Sequence, residues 1–131
     1  SETGHLVFGT LHTSSAPGTI NRIIDVFTGD EQPQIRAMLA SSLVAVIAQA
    51  LLPKIGGGRV AASEILITNH AISNLIREDK VHQIYSQMQL GQEDTGMQTQ
   101  TQAFKKFLKE GKISKDVALQ YANKPKELMQ A

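Results

Sequence analysis

Two histidines near the amino terminus are the residues best placed for chemistry. His5 and His12 are seven positions apart, so a regular strand would direct their rings to opposite faces, and they are poor candidates to chelate one metal ion together. His12 follows a strand-like stretch and precedes hydroxyl residues and a helix start. In open α/β sheets, ligands bind at the carboxyl ends of the strands, and helix N-termini favour phosphate. His12 is therefore a candidate phosphate contact; the alternative is a loop histidine hydrogen-bonded to a neighbour.

Three other charged residues each have two interpretations. Arg22 lies on the polar side of the helix after His12, where it either reaches the same crevice or faces solvent, alone or paired with Asp25. Arg59 follows three glycines and is either a contact to a neighbouring subunit or a turn arginine. Glu64 lies in an apolar, strand-like stretch, where an unpaired carboxylate would be costly. We expect Glu64 to pair with a basic group or to face solvent.

The composition excludes several other kinds of chemistry. The 131 residues include no cysteine, which excludes disulfides, cysteine-ligated metals and a thiol nucleophile. No stretch matches the phosphate-binding loop G-x-x-x-x-G-K-[ST], since Gly111 and Lys112 are followed by Ile113. The net charge is +1, from 13 Lys and Arg against 12 Asp and Glu, and gives no reason to expect nucleic acid or an anionic membrane as a partner.

Apolar spacing assigns these residues to predicted elements. The stretch His5–Leu11 is predicted to be a mostly buried strand, and Ser14 or Ser15 to cap the helix that follows. Ser114, with Asp116, is predicted to start the helix that contains Val117 and Tyr121. A hairpin is predicted from Leu51–Ile55 and Arg59–Thr68, and a polar loop over residues 91–96. Six helices are predicted from apolar spacing, around Ile20 to Phe27, Ile35 to Ala50, Ala71 to Ile76, Val81 to Met88, Phe104 to Leu108 and Val117 to Tyr121.

Three motifs resemble one protein family. Residues 3–13, TGHLVFGTLHT, resemble the histidine box of the secretion-type hexameric ATPases, which power type II and type IV secretion and type IV pili. Residues 55–65, IGGGRVAASEI, resemble a strand segment of the pilus-retraction branch. Residues 71–78, AISNLIRE, resemble its signature helix, usually written AIRNLIRE. Because the motifs occur in the family's order, the sequence is similar to the retraction, or twitching-motility, ATPases.

The resemblance implies the fold and its division. It implies an α/β chain, namely the C-terminal part of a RecA-like ATPase domain followed by a small all-helical subdomain. Residues 1–70 would be the remainder of the ATPase core, with the histidine box, helices and hairpin, and residues 71–131 the helical subdomain. The family's P-loop, catalytic glutamates and PAS-like domain would precede Ser1, so we expect this chain alone not to hydrolyse ATP.

The resemblance also implies roles for residues. His12 would be catalytic beside the γ-phosphate of ATP, and Arg22 would lie close to the nucleotide. The histidine box would comprise Gly4, His5, Leu6, Thr10, Leu11, His12 and Thr13. The helix that couples ATPase motion to the pilus would comprise Ala71, Ile72, Asn74, Leu75, Ile76, Arg77 and Glu78. Ser73 departs from the motif, which has arginine there, and so removes a charge from the predicted outward face.

Cofactor and partners follow from the same resemblance. ATP with Mg²⁺ would be the cofactor, most of its ligands would lie upstream, and this chain would hold no metal site of its own. The protein would be a cytoplasmic homo-hexamer, peripheral to the inner membrane, that acts on a pilus platform protein there without membrane insertion. One alternative is a pilus-assembly or type II secretion ATPase, although those relatives usually carry a four-cysteine metal site. Another is a non-catalytic interaction module that binds no nucleotide.

Overall fold

The computed structural model describes residues 1–90 and 92–130. Its two strands are β1 (Ala45–Pro53) and β2 (Arg59–Ile67). The helices are α1 (Ala16–Asp25), α2 (Gln32–Ser42), α3 (His70–Arg77), α4 (Ile84–Gln89), α5 (Gln92–Thr95), α6 (Gln100–Lys109), α7 (Lys115–Tyr121) and α8 (Pro125–Met129), and one turn of 3-10 helix spans Val81–Gln83. The fold is thus a mixed α/β arrangement in which helices surround one hairpin.

Serine side chains cap the starts of two helices, as the sequence predicts. The Ser15 hydroxyl accepts a hydrogen bond from the Gly18 amide at 3.0 Å and caps α1. The Ser114 hydroxyl does the same for α7. Each cap satisfies an amide that would otherwise lack a partner in the first turn. The predicted helix starts at these two serines are confirmed.

The hairpin forms, but its first strand is longer than predicted. β1 and β2 pair antiparallel, with Ala45 opposite Ile67 and Pro53 opposite Arg59. The turn contains Gly56, Gly57 and Gly58, whose φ angles of 90°, 103° and 75° suit residues without a Cβ atom.

The predicted helix from Ile35 to Ala50 is wrong beyond Ser42, where α2 ends. Val46 and Ala48 in β1 are buried whereas Ile47 is 62% exposed. This alternation is typical of a strand with one covered face. The apolar residues here are compatible with either a helix or a strand, and pairing with β2 makes them a strand.

The amino-terminal strand predicted at His5–Leu11 does not form. Residues 5–13 make no backbone–backbone hydrogen bond to any residue that the structure describes. Leu6, Val7 and Phe8 are 80%, 62% and 88% exposed. A strand requires a neighbouring strand for its amides and carbonyls. In the described chain β1 pairs with β2, β2 makes one further bridge between Ile65 and Gln98, and neither strand bonds to residues 5–13.

Two smaller differences concern the carboxyl-terminal half of the chain. Residues 92–95 form the single turn α5 where a polar loop was predicted, while Gly91 lies outside the described residues. The short helix α8 carries no prediction from the sequence. Within residues 1–90 and 92–130, no helix combines the length and the apolar character needed to cross a bilayer.

Two hydrophobic cores lie at opposite ends of the hairpin. The first core is built by α1 to α4 with Val46 and Leu66, and its largest members include Ile20, Ile24, Ile72, Ile76, Ile84 and Met88. The second core is built by α6 to α8 with the other end of the hairpin and consists of Leu52, Ala62, Ala103, Phe104, Ile113, Ala118 and Leu128. The first core draws on residues either side of position 70, and the division at that residue stays a prediction.

Candidate functional site

His12 is placed between the unpaired amino-terminal segment and α1. Its side chain is exposed and makes no hydrogen bond or ion pair to a described residue. The alternative of a histidine bonded to a neighbour is therefore not what the structure contains. The next residue, Thr13, is held by a hydrogen bond between its hydroxyl and that of Thr19. His12 thus presents a free imidazole directly before an anchored residue.

The other residues of the histidine box are mostly exposed. The His5 ring nitrogen Nδ1 lies 2.9 Å from the Thr3 hydroxyl. Gly4 has a φ of 88° and closes a turn by donating its amide to the Ser1 carbonyl at 3.0 Å. Leu11, Thr10 and Thr13 line a groove of about 310 Å³ against α1 and β1.

Arg22 lies on the exposed side of α1. It makes no ion pair with Asp25, or with any other acid in the described part of the chain. Arg22 is six residues beyond Ala16, hence about 9 Å along the helix axis from the start of α1. The structure joins Arg22 to His12 by no hydrogen bond, but it leaves the guanidinium available to an anion. Arg59 is likewise exposed, and both of its interpretations stand.

The amide groups that begin α1 are already satisfied within the protein. The Ala16 amide donates to a carboxylate oxygen of Glu64 at 2.8 Å. Pro17 has no N–H, the Gly18 amide donates to the Ser15 hydroxyl, and the Thr19 amide donates to the Ser15 carbonyl. The expectation that this helix start favours a phosphate is therefore wrong, because an internal carboxylate occupies it.

Glu64 follows neither of its two predicted environments. It is only 3% exposed, and no basic group lies within ion-pair distance in the described chain. Its two oxygens accept hydrogen bonds from the amides of Ala16 at 2.8 Å and Gln100 at 3.0 Å, the first residues of α1 and α6. Two helix N-termini thus stabilise this carboxylate in place of a cation.

A cavity of about 230 Å³ opens beside Glu64 and is lined in part by Tyr85, Thr101 and Lys124. The Tyr85 hydroxyl donates to Glu127 Oε2 at 2.6 Å, and the Lys124 ammonium lies 4.5 Å from the centre of the ring. Burial, reinforced by the bond to Glu127, raises the pKa of Tyr85 from 10.0 to about 12. Sequence analysis missed this cluster, since nothing in the spacing relates Tyr85 to Glu127.

The predicted effector helix forms as α3 with its apolar side inward. Ile72 and Ile76 are fully buried in the first core, and Leu75 packs against it. On the other side, Arg77 Nη1 donates to Asn74 Oδ1 at 2.9 Å, and Arg77 is exposed. Two further motif residues, Ala71 and Glu78, are exposed as well.

Ser73 is not on the outward face, where it was expected. Its side chain is half-buried, and its hydroxyl donates to the Ala40 carbonyl near the end of α2 at 2.5 Å. Beyond the other end of α3, Arg36 of α2 forms an ion pair with Asp79 at 3.0 Å. Helices α2 and α3 are thus held together at Ser73, in the first half of α3, and at Asp79, two residues after α3 ends. Among the described residues, no three His, Cys, Asp or Glu side chains are grouped so that they could hold a metal ion.

Comparison with known proteins identifies similar sequences over almost the whole chain. The family described as "Type II/IV secretion system protein" matches residues 1–57. The "Type IV pilus retractation ATPase PilT" of Pseudomonas aeruginosa is 54% identical over 125 residues, covering 95% of this chain and 36% of that protein. The "Twitching motility protein" of Neisseria gonorrhoeae is 52% identical, covering 90% of this chain and 32% of that protein. The chain spans about a third of the length of these relatives.

Solved structures agree in fold. The crystal structure of "the Pilus Retraction Motor PilT and Bound ADP" superposes with a TM-score of 0.87 at 52% identity, covering 97% of this chain and 35% of that one. The ATPase DotB of Legionella pneumophila gives a TM-score of 0.73 at 28% identity, covering 88% of this chain and 31% of that one. The resemblance that the three motifs predict and the predicted α/β class are confirmed. In sequence and in fold, this chain is similar to about a third of a type IV pilus retraction ATPase.

Proposed function

We propose that the protein containing this chain is a motor ATPase that hydrolyses ATP to drive type IV pilus retraction. The observation that carries the proposal is the 54% identity to the retraction ATPase of Pseudomonas aeruginosa across 95% of this chain. The match to a retraction motor solved with ADP supports nucleotide use by the whole protein. The identity to the ATPase DotB is much lower, at 28%, which favours the retraction ATPase as the better match.

His12 and Arg22 are the residues of this chain that we assign to the nucleotide. Both side chains are exposed and have no internal partner in the described chain, so they are available to bind an anion. When bound, Mg²⁺-ATP supplies the phosphoryl group that is transferred to water. A ring N–H of His12 would donate a hydrogen bond to a phosphate oxygen and stabilise developing charge there. Arg22 would add positive charge, since the amides of α1 are not available for this role.

The remaining assignments concern assembly. Helix α3 would couple ATPase motion to retraction through the half-buried Asn74 and the exposed Arg77 and Glu78, while its isoleucines hold it in the first core. Residues 1–70 would supply the nucleotide-facing part and residues 71–131 the helical subdomain. The whole protein would be a cytoplasmic homo-hexamer that works on an inner-membrane platform protein.

The substitution His12→Ala in the complete ATPase tests the catalytic assignment. We expect kcat to fall about 10²-fold or more, as on removal of a positioned donor, with little change in thermal stability because the ring has no internal partner. His82→Ala is the matched control, since His82 is also exposed and unbonded in the described chain. Steady-state hydrolysis and a thermal melt decide the matter. Unchanged hydrolysis would remove His12 from the catalytic role, and a melt that a nucleotide analogue does not shift would favour the non-catalytic interaction module.

A further inference from the structure

A closed ring of hydrogen bonds joins the turn before α1 to the carboxyl-terminal helices. Glu64 accepts from the Ala16 amide at 2.8 Å and from the Gln100 amide at 3.0 Å. The Gln100 side-chain oxygen accepts from the Asn123 amide at 2.7 Å. The Asn123 side-chain nitrogen Nδ2 in turn donates to the Ser14 carbonyl at 2.8 Å. Because Ser14 and Ala16 are two residues apart, the ring is complete.

The ring ends two residues from His12. Ser14 and Ala16 are held by the ring, Ser15 caps α1, and the Thr13 hydroxyl is bonded to Thr19. Every residue from 13 to 16 therefore has a specific partner. His12 directly precedes this anchored stretch. The position of its exposed imidazole therefore depends on where the stretch is held.

The buried charge of Glu64 makes the ring hard to open. The carboxylate is 3% exposed and, in the described chain, its hydrogen-bond donors are only two backbone amides. Moving α6 away from α1 would leave one carboxylate oxygen buried without a donor, and such a group costs more than an ordinary hydrogen bond is worth. The start of α1 and the start of α6 are therefore constrained to move together.

We propose that Glu64 is a positioning residue: it fixes residues 13–16, which follow His12, relative to the carboxyl-terminal helices, and Asn123 completes this connection. Its consequence for catalysis rests on the function proposed above. A shift of α6 and the segment after α7 would be transmitted to the residue that contacts phosphate, and a shift at that residue would be transmitted in the opposite direction.

Asn123→Asp opens the ring without disturbing a core, since Asn123 is exposed. The aspartate cannot donate to the Ser14 carbonyl, whereas its backbone amide can still reach Gln100. We expect amide hydrogen exchange at Ala16, measured by NMR on the 131-residue chain, to quicken roughly tenfold. Gln120→Glu, the same amide-to-acid change at an exposed α7 residue without hydrogen bonds in the described chain, should leave that exchange unchanged.

Glu64→Gln tests the centre of the ring, because an amide offers one acceptor oxygen to two amide donors. Exchange at Ala16 or Gln100 should quicken roughly tenfold or more. In the complete ATPase, both Glu64→Gln and Asn123→Asp should lower kcat about tenfold with the KM for ATP changed less than about twofold, a split that positioning predicts.

Unchanged exchange in both variants would overturn the ring as a mechanical link. Faster exchange with an unaltered kcat would overturn its positioning role. A complete wild-type protein that turns over no ATP would instead overturn the proposed function, and the exchange measurement, which needs no nucleotide, would still decide whether the ring holds the turn.

Discussion

At the scale of single residues, Tyr85 gives the chain a defined response to alkaline pH. Its pKa is raised from 10.0 to about 12 by burial and by the hydrogen bond to Glu127. Between these values the folded state keeps a proton that the unfolded state has lost. The free energy of unfolding should therefore be unaffected below about pH 10 and fall as the pH rises towards about 12.

Because the tyrosine is only partly buried, solvent screening limits this loss to the order of 1 kcal/mol. Urea unfolding of the wild type and of Tyr85→Phe, followed across that pH range, measures it. The variant should lack this part of the pH dependence, whereas Tyr121→Phe, a change at a tyrosine that is 37% exposed, should retain it. Equal slopes for Tyr85→Phe and wild type would contradict the assignment.

Glu64 marks how far residue-scale reasoning from sequence extends. A carboxylate within an apolar strand was recognisable as a group that needs a partner. Its partners could not be recognised, because they are the backbone amides of Ala16 and Gln100, 48 and 36 positions away. Backbone amides occur at almost every position, so only the fold determines which two converge on one carboxylate.

At the scale of elements, the contact between α2 and α3 depends on Ser73. The hydroxyl of Ser73 bonds a carbonyl near the C-terminus of α2, at Ala40, where carbonyls lack partners within the helix. Ser73→Ala should lower the free energy of unfolding by about 1 kcal/mol. Ser41→Ala, which removes only an exposed hydroxyl bonded within α2 to Ala37, should cost less than about 0.5 kcal/mol. Chemical denaturation of both variants measures the difference, and equal values would mean that Ser73 does not hold α3 to α2.

Element prediction was accurate where local signals agree. Helices α1 and α7 have a serine cap and apolar residues at helical spacing, and α3 has the same spacing. It was inaccurate where the outcome depends on a distant partner. Val46 and Ile47 continue the periodicity of α2, yet they form β1 because β2 pairs with them. Residues 5–11 have a strand-like composition and remain unpaired, because in the described chain no strand forms backbone hydrogen bonds with them.

At the scale of the molecule, the hairpin contributes to both hydrophobic cores, although the sequence predicts a division at residue 70. One end of the hairpin places Val46 and Leu66 in the first core, and the other end places Leu52 and Ala62 in the second. The hydrogen-bond ring around Glu64 also connects helices of the two cores, through polar contacts to the starts of α1 and α6. A division of roles at residue 70 is compatible with this arrangement, but independent folding of the two parts is not expected.

Leu52→Ala tests that cooperativity. Leu52 is fully buried in the second core, so its truncation should cost about 2–5 kcal/mol. Thermal unfolding followed by NMR at Ile24 in the first core and at Ala118 in the second should show both midpoints falling together, because β1 cannot lose its pairing at one end without weakening the other. Leu51→Ala, on the same strand but 58% exposed, should shift neither midpoint appreciably. If only the Ala118 midpoint fell, the cores would be separate folding units, and movement of the carboxyl-terminal helices could occur without any effect on the turn that carries His12.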